Sequence, residues 1–143
     1  MPQVKDVYNT ITDEFPTIVL DAPLVKVQQT FQEMNPMFRT LYVLDDQNQF
    51  IGTIPLVKII KGYTLKKGII TSKSSSVKGL FQMTSQDITA QDLMVKSGSV
   101  CENDSLDEAL QLMVETSVDE LPVLDKHGSM VGHLSVFELL SYL

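Results

Sequence analysis

Apolar residues fall along this chain in two series that share one order of elements. In the first, Thr17-Ile18-Val19-Leu20 is a short run rich in β-formers, after which Leu24, Val27, Phe31 and Met34 recur at helical spacing. Pro23 suits the first turn of that helix, where its missing N–H removes no hydrogen bond. Leu41-Tyr42-Val43-Leu44 then reads as a buried strand, Asp45-Asp46-Gln47-Asn48 as a turn, and Phe50-Ile51-Gly52-Thr53-Ile54 as the hairpin partner. Leu56 to Ile60 closes the series as a short helix.

The second series repeats the first. Val100-Cys101 precedes Asn103-Asp104-Ser105, and Ser105 with Glu108 three residues on is a capping-box signature for a helix carrying Leu106, Ala109, Leu110 and Met113. Leu121-Pro122-Val123-Leu124-Asp125 matches Leu41 to Asp45, Lys126-His127-Gly128 is the turn, and Val131-Gly132-His133-Leu134 matches Ile51 to Ile54. Val136 to Leu140 mirrors Leu56 to Ile60, and a short opening helix precedes each series.

Each β-α-β-β-α unit is too small to cover both faces of its own sheet. The expected fold is therefore α/β (α+β), with two pseudo-twofold-related repeats packed through their sheets. The expected division is 1–61 for the first repeat with its N-terminal helix, 62–87 for a connecting segment and 88–143 for the second repeat. Gly62, Gly68, Ser72 and Ser74-Ser75-Ser76 break both periodicities, so Gly62–Thr84 reads as a long surface connection in which Val77, Leu80, Phe81 and Met83 can dock as a helical turn.

Composition narrows the function. Cys101 is the only cysteine in 143 residues, which excludes an intrachain disulfide or a four-cysteine metal site; it reads as a small apolar strand residue in a reducing setting. No apolar run approaches the ~20 residues of a membrane span, and Met1-Pro2-Gln3 lacks the basic start of a signal peptide. The expected location is cytoplasmic, including as the cytosolic part of an inner-membrane protein.

The net charge of −7 is unevenly spread: six lysines and no acid lie between Lys58 and Gln86, whereas 87–143 holds eleven acids against Lys96 and Lys126. No broad basic surface is available to displace counterions from nucleic acid. Catalysis has no convergent set either, because His127 lies in a turn, His133 reads as a strand-end or cleft-lining residue, and neither has a nucleophile in a recognisable context. The paired acids Asp45-Asp46 and Asp119-Glu120 read as solvated turn and strand ends. The expectation is therefore no enzyme, no catalytic residue and no metal ligand.

Taken in order, Ile88-Thr89-Ala90-Gln91-Asp92-Leu93-Met94, Ser105-Leu106-Asp107-Glu108-Ala109-Leu110, Leu121-Pro122-Val123-Leu124-Asp125 and Gly132-His133-Leu134-Ser135-Val136-Phe137-Glu138 resemble a tandem pair of cystathionine-β-synthase (CBS) domains, a Bateman module. The first copy is more divergent, with Tyr42 where the family usually has proline. The resemblance implies a regulatory module that binds an adenosine-containing ligand, AMP, ADP, ATP or S-adenosylmethionine, between the repeats and requires no cofactor. In the family pattern Gly-x-x-Ser/Thr-x-x-Asp, the hydroxyl meets phosphate or ribose and the carboxylate accepts both ribose hydroxyl protons. Ser135 and Glu138 fall on those positions, and Ser135 can equally serve as the N-cap of the closing helix.

The implied ligand set is Thr17, Ile18, Phe38, Thr40, His133, Ser135 and Glu138, and on that reading Glu138→Ala weakens binding while leaving folding intact. The first copy has Pro55 and Lys58 at the same positions, so its cleft suits an anion, met by Arg39, Thr53 and Lys58 with Ser99, Val100 and Val118. Asp119-Glu120 would repel a triphosphate at the equivalent place unless Mg²⁺ bridges them.

Asp92-Leu93-Met94, Asp119 to Val123 and Ile54-Pro55-Leu56 look like modules of bacterial ClC-type chloride channels and transporters, and Leu41 to Asp45 also looks like those of bacterial magnesium transporters. The implied partners are a second copy, in a homodimer through the CBS helices, and a channel or transporter that lies outside this chain. A Mg²⁺-sensing module of a magnesium transporter and a structural dimerisation module without ligand are the alternatives.

Overall fold

A computed structural model describes residues 2–12, 14–67 and 88–143 of the chain. Most of the expected surface connection, with Val77, Leu80, Phe81 and Met83, lies outside the described residues. Two three-stranded sheets carry the fold.

The first sheet has the order β1 (Thr17–Val19), β2 (Thr40–Leu44), β3 (Phe50–Pro55), with helix α1 (Leu24–Glu33) between β1 and β2 in sequence and helix α2 (Lys58–Lys67) after β3. Strands β1 and β2 run parallel, with Thr17 opposite Tyr42 and Val19 opposite Leu44. The core joins Ile18 and Leu24, Val27 of α1, Leu41 and Val43 of β2 and Ile54 of β3 with Ile88, Ala90 and Leu93. The last of these belong to a short helix α3 (Ala90–Leu93), opened by Thr89 and by Asp92, which accepts the Thr89 N–H at 2.9 Å.

The closing helix of this half is longer than its apolar pattern predicts. Leu56 and Val57 form a turn, and α2 runs from Lys58 through Lys67 instead of ending at Ile60. Gly62, read from sequence as a helix breaker, is buried, and a side chain there would run into Leu24 and meet Leu93. Its helix-weakening tendency of about 1 kcal/mol is outweighed by the close approach it permits.

The second sheet has the order β4 (Val100–Cys101), β5 (Glu120–Leu124), β6 (Met130–Ser135). Its helices are α4 (Leu106–Thr116) and α5 (Val136–Leu139), the latter followed by a 3-10 turn over Leu140–Tyr142. The Ser105/Glu108 capping box forms, with the Glu108 N–H donating to Ser105 Oγ at 3.1 Å. Strands β5 and β6 are antiparallel, with Glu120 opposite Ser135, Pro122 opposite His133 and a bulge between Val123 and Leu124. The turn between them is held by Asp125 Oδ1, which accepts the N–H groups of His127 at 2.8 Å and Ser129 at 3.0 Å. Those donors hold the Asp125 carboxyl below its usual range. Gly128 takes the left-handed conformation there, at φ 84°.

The compact units do not follow chain order. One comprises Met1–Phe15, Gln47–Phe50 and Lys96–Leu143, the other Pro16–Asp46 and Ile51–Val95. The opening segments are exchanged: the 3-10 turn Val4–Asp6 packs on the second sheet, where Val4 and Val7 join Val100, Leu106, Leu121, Val123, Leu134 and Leu139, while α3 packs on the first. Backbone hydrogen bonds repeat the arrangement in both units. Val4 N donates to Asp104 O and Lys5 N to Glu102 O, as Ala90 N donates to Ala22 O and Gln91 N to Leu20 O.

Strand β6 receives the N-terminal turn directly, because Gly132 leaves room against its backbone. A Cβ at Gly132 would fall on the Tyr8 ring and the Asn9 amide. We therefore expect Gly132→Ala to lower unfolding free energy in urea by about 1–3 kcal/mol; a change within experimental error would mean the turn is not seated on this strand.

Candidate functional site

Among the described residues, four of the five buried polar or charged side chains lie at one end of the second sheet. His133 is fully buried, Glu120, Ser135 and Glu138 nearly so. Each is placed by the register: Ser135 and His133 alternate on one face of β6, and Glu120 stands opposite Ser135 at the start of β5, diagonal to His133. A hydrogen bond of 2.9 Å joins His133 Nε2 to Glu120 Oε2, and His133 Nδ1 lies 4.0 Å from Glu138 Oε1.

Two expectations change here. His133 is not a strand-end surface residue but an interior one. Glu120 is not a solvated partner of Asp119, because its carboxylate turns inward to the imidazole while Asp119 stays exposed. Among the described residues no group of three or more His, Cys, Asp or Glu side chains is placed to hold a metal ion.

Glu138 does structural work that its sequence position does not suggest. Its Oε1 accepts the Ser135 N–H at 2.9 Å, the carboxylate half of a capping box at the start of α5. Its Oε2 accepts the Thr10 N–H at 2.6 Å, with the Thr10 hydroxyl and the Ile11 N–H each at 3.4 Å. The acceptor capacity of the carboxylate is thus largely taken up by the chain itself. Ser135 holds the N-cap position, yet its hydroxyl is buried and makes no hydrogen bond.

The other candidate residues fall in both units. Thr17 sits half-buried on β1, Thr40 opens β2, and Phe38 is buried just before it. The Ile18 side chain is in the core, and its backbone pairs with Val43 of β2. Arg39 is exposed and its carbonyl accepts the Leu56 N–H at 2.8 Å. Thr53 is buried and exchanges backbone hydrogen bonds with Val95 at 2.9 and 2.8 Å, while Lys58 opens α2. Ser99 and Val118 are half-buried, and Val100 belongs to the second core.

The two repeats therefore differ where they matter. Glu120, His133 and Glu138 correspond in the aligned series to Thr40, Thr53 and Lys58, which carry no such acid–imidazole–acid arrangement. Cys101 lies on β4 as expected but is exposed; desolvation, then the charges of Asp104 and Asp125, push its thiol up and away from the reactive thiolate. The Tyr8 phenol, which donates to Glu102 at 3.3 Å, is likewise raised, first by burial and then by that carboxylate.

A family model of the CBS domain matches residues 4–64 and 87–143. The chain belongs to the CBS-domain family. It resembles a CBS domain-containing protein of Thermotoga maritima at 29% identity and a TM-score of 0.77, over 99% of this chain and 94% of that one. The same fold, at 18% identity in each case, is seen in CBSX2 in complex with AMP (TM-score 0.72, 99% and 96% covered) and in the cytosolic domain of the Mg²⁺ channel MgtE in complex with ATP (TM-score 0.71, 99% and 48% covered). An uncharacterised protein of Methanopyrus kandleri is 31% identical over 75 residues, which are 51% of this chain and only 38% of that protein. No helix among the described residues is long and apolar enough to cross a membrane.

In this CBS pair, Glu138→Ala is not a neutral substitution. It opens the α5 capping box and strips the charged acceptor from the Thr10 and Ile11 N–H groups, so unfolding free energy should fall by about 2–3 kcal/mol. Urea denaturation of Glu138→Ala and Glu138→Gln checks this, with the glutamine variant retaining part of the loss; a midpoint equal to wild type for the alanine variant would remove Glu138 from the framework.

Proposed function

We propose that this CBS pair is a regulatory module that binds an adenosine-containing ligand and thereby controls an attached or partner protein, an ion channel or transporter of the ClC type. The observation that carries this reading is the Ser135 hydroxyl. It is buried and makes no hydrogen bond, at the hydroxyl position of the family's ligand pattern, which Gly132-His133-Leu134-Ser135-Val136-Phe137-Glu138 matches with Glu in place of Asp. A buried hydroxyl without a partner carries an uncompensated desolvation penalty of about 1–3 kcal/mol, which a phosphate or ribose oxygen would recover.

On this reading Ser135 and Glu138 meet the ligand from the second unit. His133 acts as a positioning residue, held by Glu120. Arg39 and Lys58 give the first repeat a cationic character that favours an anion in place of a ribose. AMP and ATP bound to relatives of the same fold support the ligand class.

The homodimer is supported by a mainly apolar groove of about 220 Å³ lined by Gln28, Phe31 and Gln32 of α1 and by Leu56, Ile59 and Tyr63, with Val57 and Ile60 also exposed nearby in sequence. A cytosolic, Mg²⁺-responsive module is the second reading, favoured by the fold shared with the Mg²⁺ channel domain.

Isothermal titration with AMP, ATP and Mg²⁺ tests the proposal. Ser135→Ala should weaken the nucleotide by at least about fivefold with only a small change in stability, since the hydroxyl it deletes makes no hydrogen bond. Unchanged nucleotide affinity would remove Ser135 from the site, and a response to Mg²⁺ alone would favour the second reading.

A further inference from the structure

The N-terminal segment reaches the Glu138 carboxylate in a way that the adenosine reading leaves unexplained. Val4 and Val7 anchor the start of the chain in the second core with no exposure. Asn9 then lies along β6: its N–H donates to His133 O at 3.2 Å and its Oδ1 accepts the His133 N–H at 3.0 Å. Asn9 has φ 62°, a left-handed conformation that asparagine tolerates better than most residues. That turn brings two successive backbone N–H groups, those of Thr10 and Ile11, onto one oxygen of Glu138.

Thr10 and Ile11 are themselves exposed, so their side chains bury little apolar surface in this position. What holds them is a pair of donors on a carboxylate that is 3% exposed. A ribose presents the same chemistry, two adjacent donors on neighbouring atoms, and the carboxylate cannot serve both pairs at once.

We propose that Asn9–Ile11 is a built-in competitor for Glu138, a strap whose backbone N–H groups stand in for the ribose hydroxyls and must leave before an adenosine ligand can be held by this residue. The inference rests on the adenosine reading. Release is local, because Val4 and Val7 remain anchored while the chain swings from the Asn9 hinge onward. Thr10 and Ile11 precede in sequence the boundary between the compact units at Phe15/Pro16, so ligand occupancy at Glu138 is felt in the chain just ahead of that boundary. Ligand affinity is correspondingly lowered by the fraction of molecules in which the strap is closed.

Amide hydrogen exchange on the 143-residue chain, with and without AMP or ATP, reads the strap directly at Thr10 and Ile11. Thr10→Pro removes the shorter donor and disfavours the left-handed Asn9 that precedes it. The expected result is faster exchange of both amides in wild type on nucleotide binding, and nucleotide affinity raised by about threefold or more in Thr10→Pro.

Nucleotide binding with both amides unaltered and Thr10→Pro no tighter would overturn the strap and leave the adenosine reading standing. If neither chain binds AMP or ATP, both are overturned. Should Thr10→Pro fail to fold, the wild-type exchange measurement decides alone.

Discussion

The Glu138 carboxylate is where helix α5, strand β6 and the N-terminal segment are tied together. One oxygen satisfies the first N–H of the helix cap and the other satisfies two N–H groups that arrive from the opposite end of the sequence. A buried carboxylate is tolerated only when its charge is met by donors. Here the donors come chiefly from backbone, with His133 at 4.0 Å and Glu120 behind the imidazole. Three ionisable side chains are thereby packed into the interior of a unit whose remaining core is aliphatic.

The exchange of opening segments follows from the size of each sheet. Three strands and two helices leave an apolar edge uncovered, and each unit closes it with a short turn of chain from far away in sequence. Val4 and Val7 fill one edge; Ile88, Ala90 and Leu93 fill the other. Each compact unit is thus built from separated stretches of chain, and the connections between these stretches are natural places for one unit to influence the other.

The duplication was legible because strand, helix and hairpin each leave a local signature that recurs in order, and Ser105 with Glu108 marks a helix start outright. The helix after Ile60 was not, since Gly62 looks like a breaker until Leu24 and Leu93 are seen against it. Nor does sequence reveal which sheet an opening helix covers, because Val4 with Val7 and Ala90 with Leu93 have the same apolar character. The Glu120–His133 pair depends on cross-strand register, which places Glu120 opposite Ser135. The resemblance implies a ligand role for Glu138, but its hold on Thr10 is a contact across 128 residues that no local pattern encodes.

The asymmetry of the repeats gives the module its functional character: one unit carries an acid–imidazole–acid core next to an unsatisfied hydroxyl, the other carries Thr40, Thr53 and Lys58 in the corresponding places. The most direct measurement is the unfolding temperature of the 143-residue chain as AMP or ATP is raised. A ligand that binds only the folded state adds about 2.7 kcal/mol at roughly a hundredfold excess over Kd, so the account predicts a melting temperature that climbs with the logarithm of nucleotide concentration. A melting temperature unmoved by either nucleotide would contradict it.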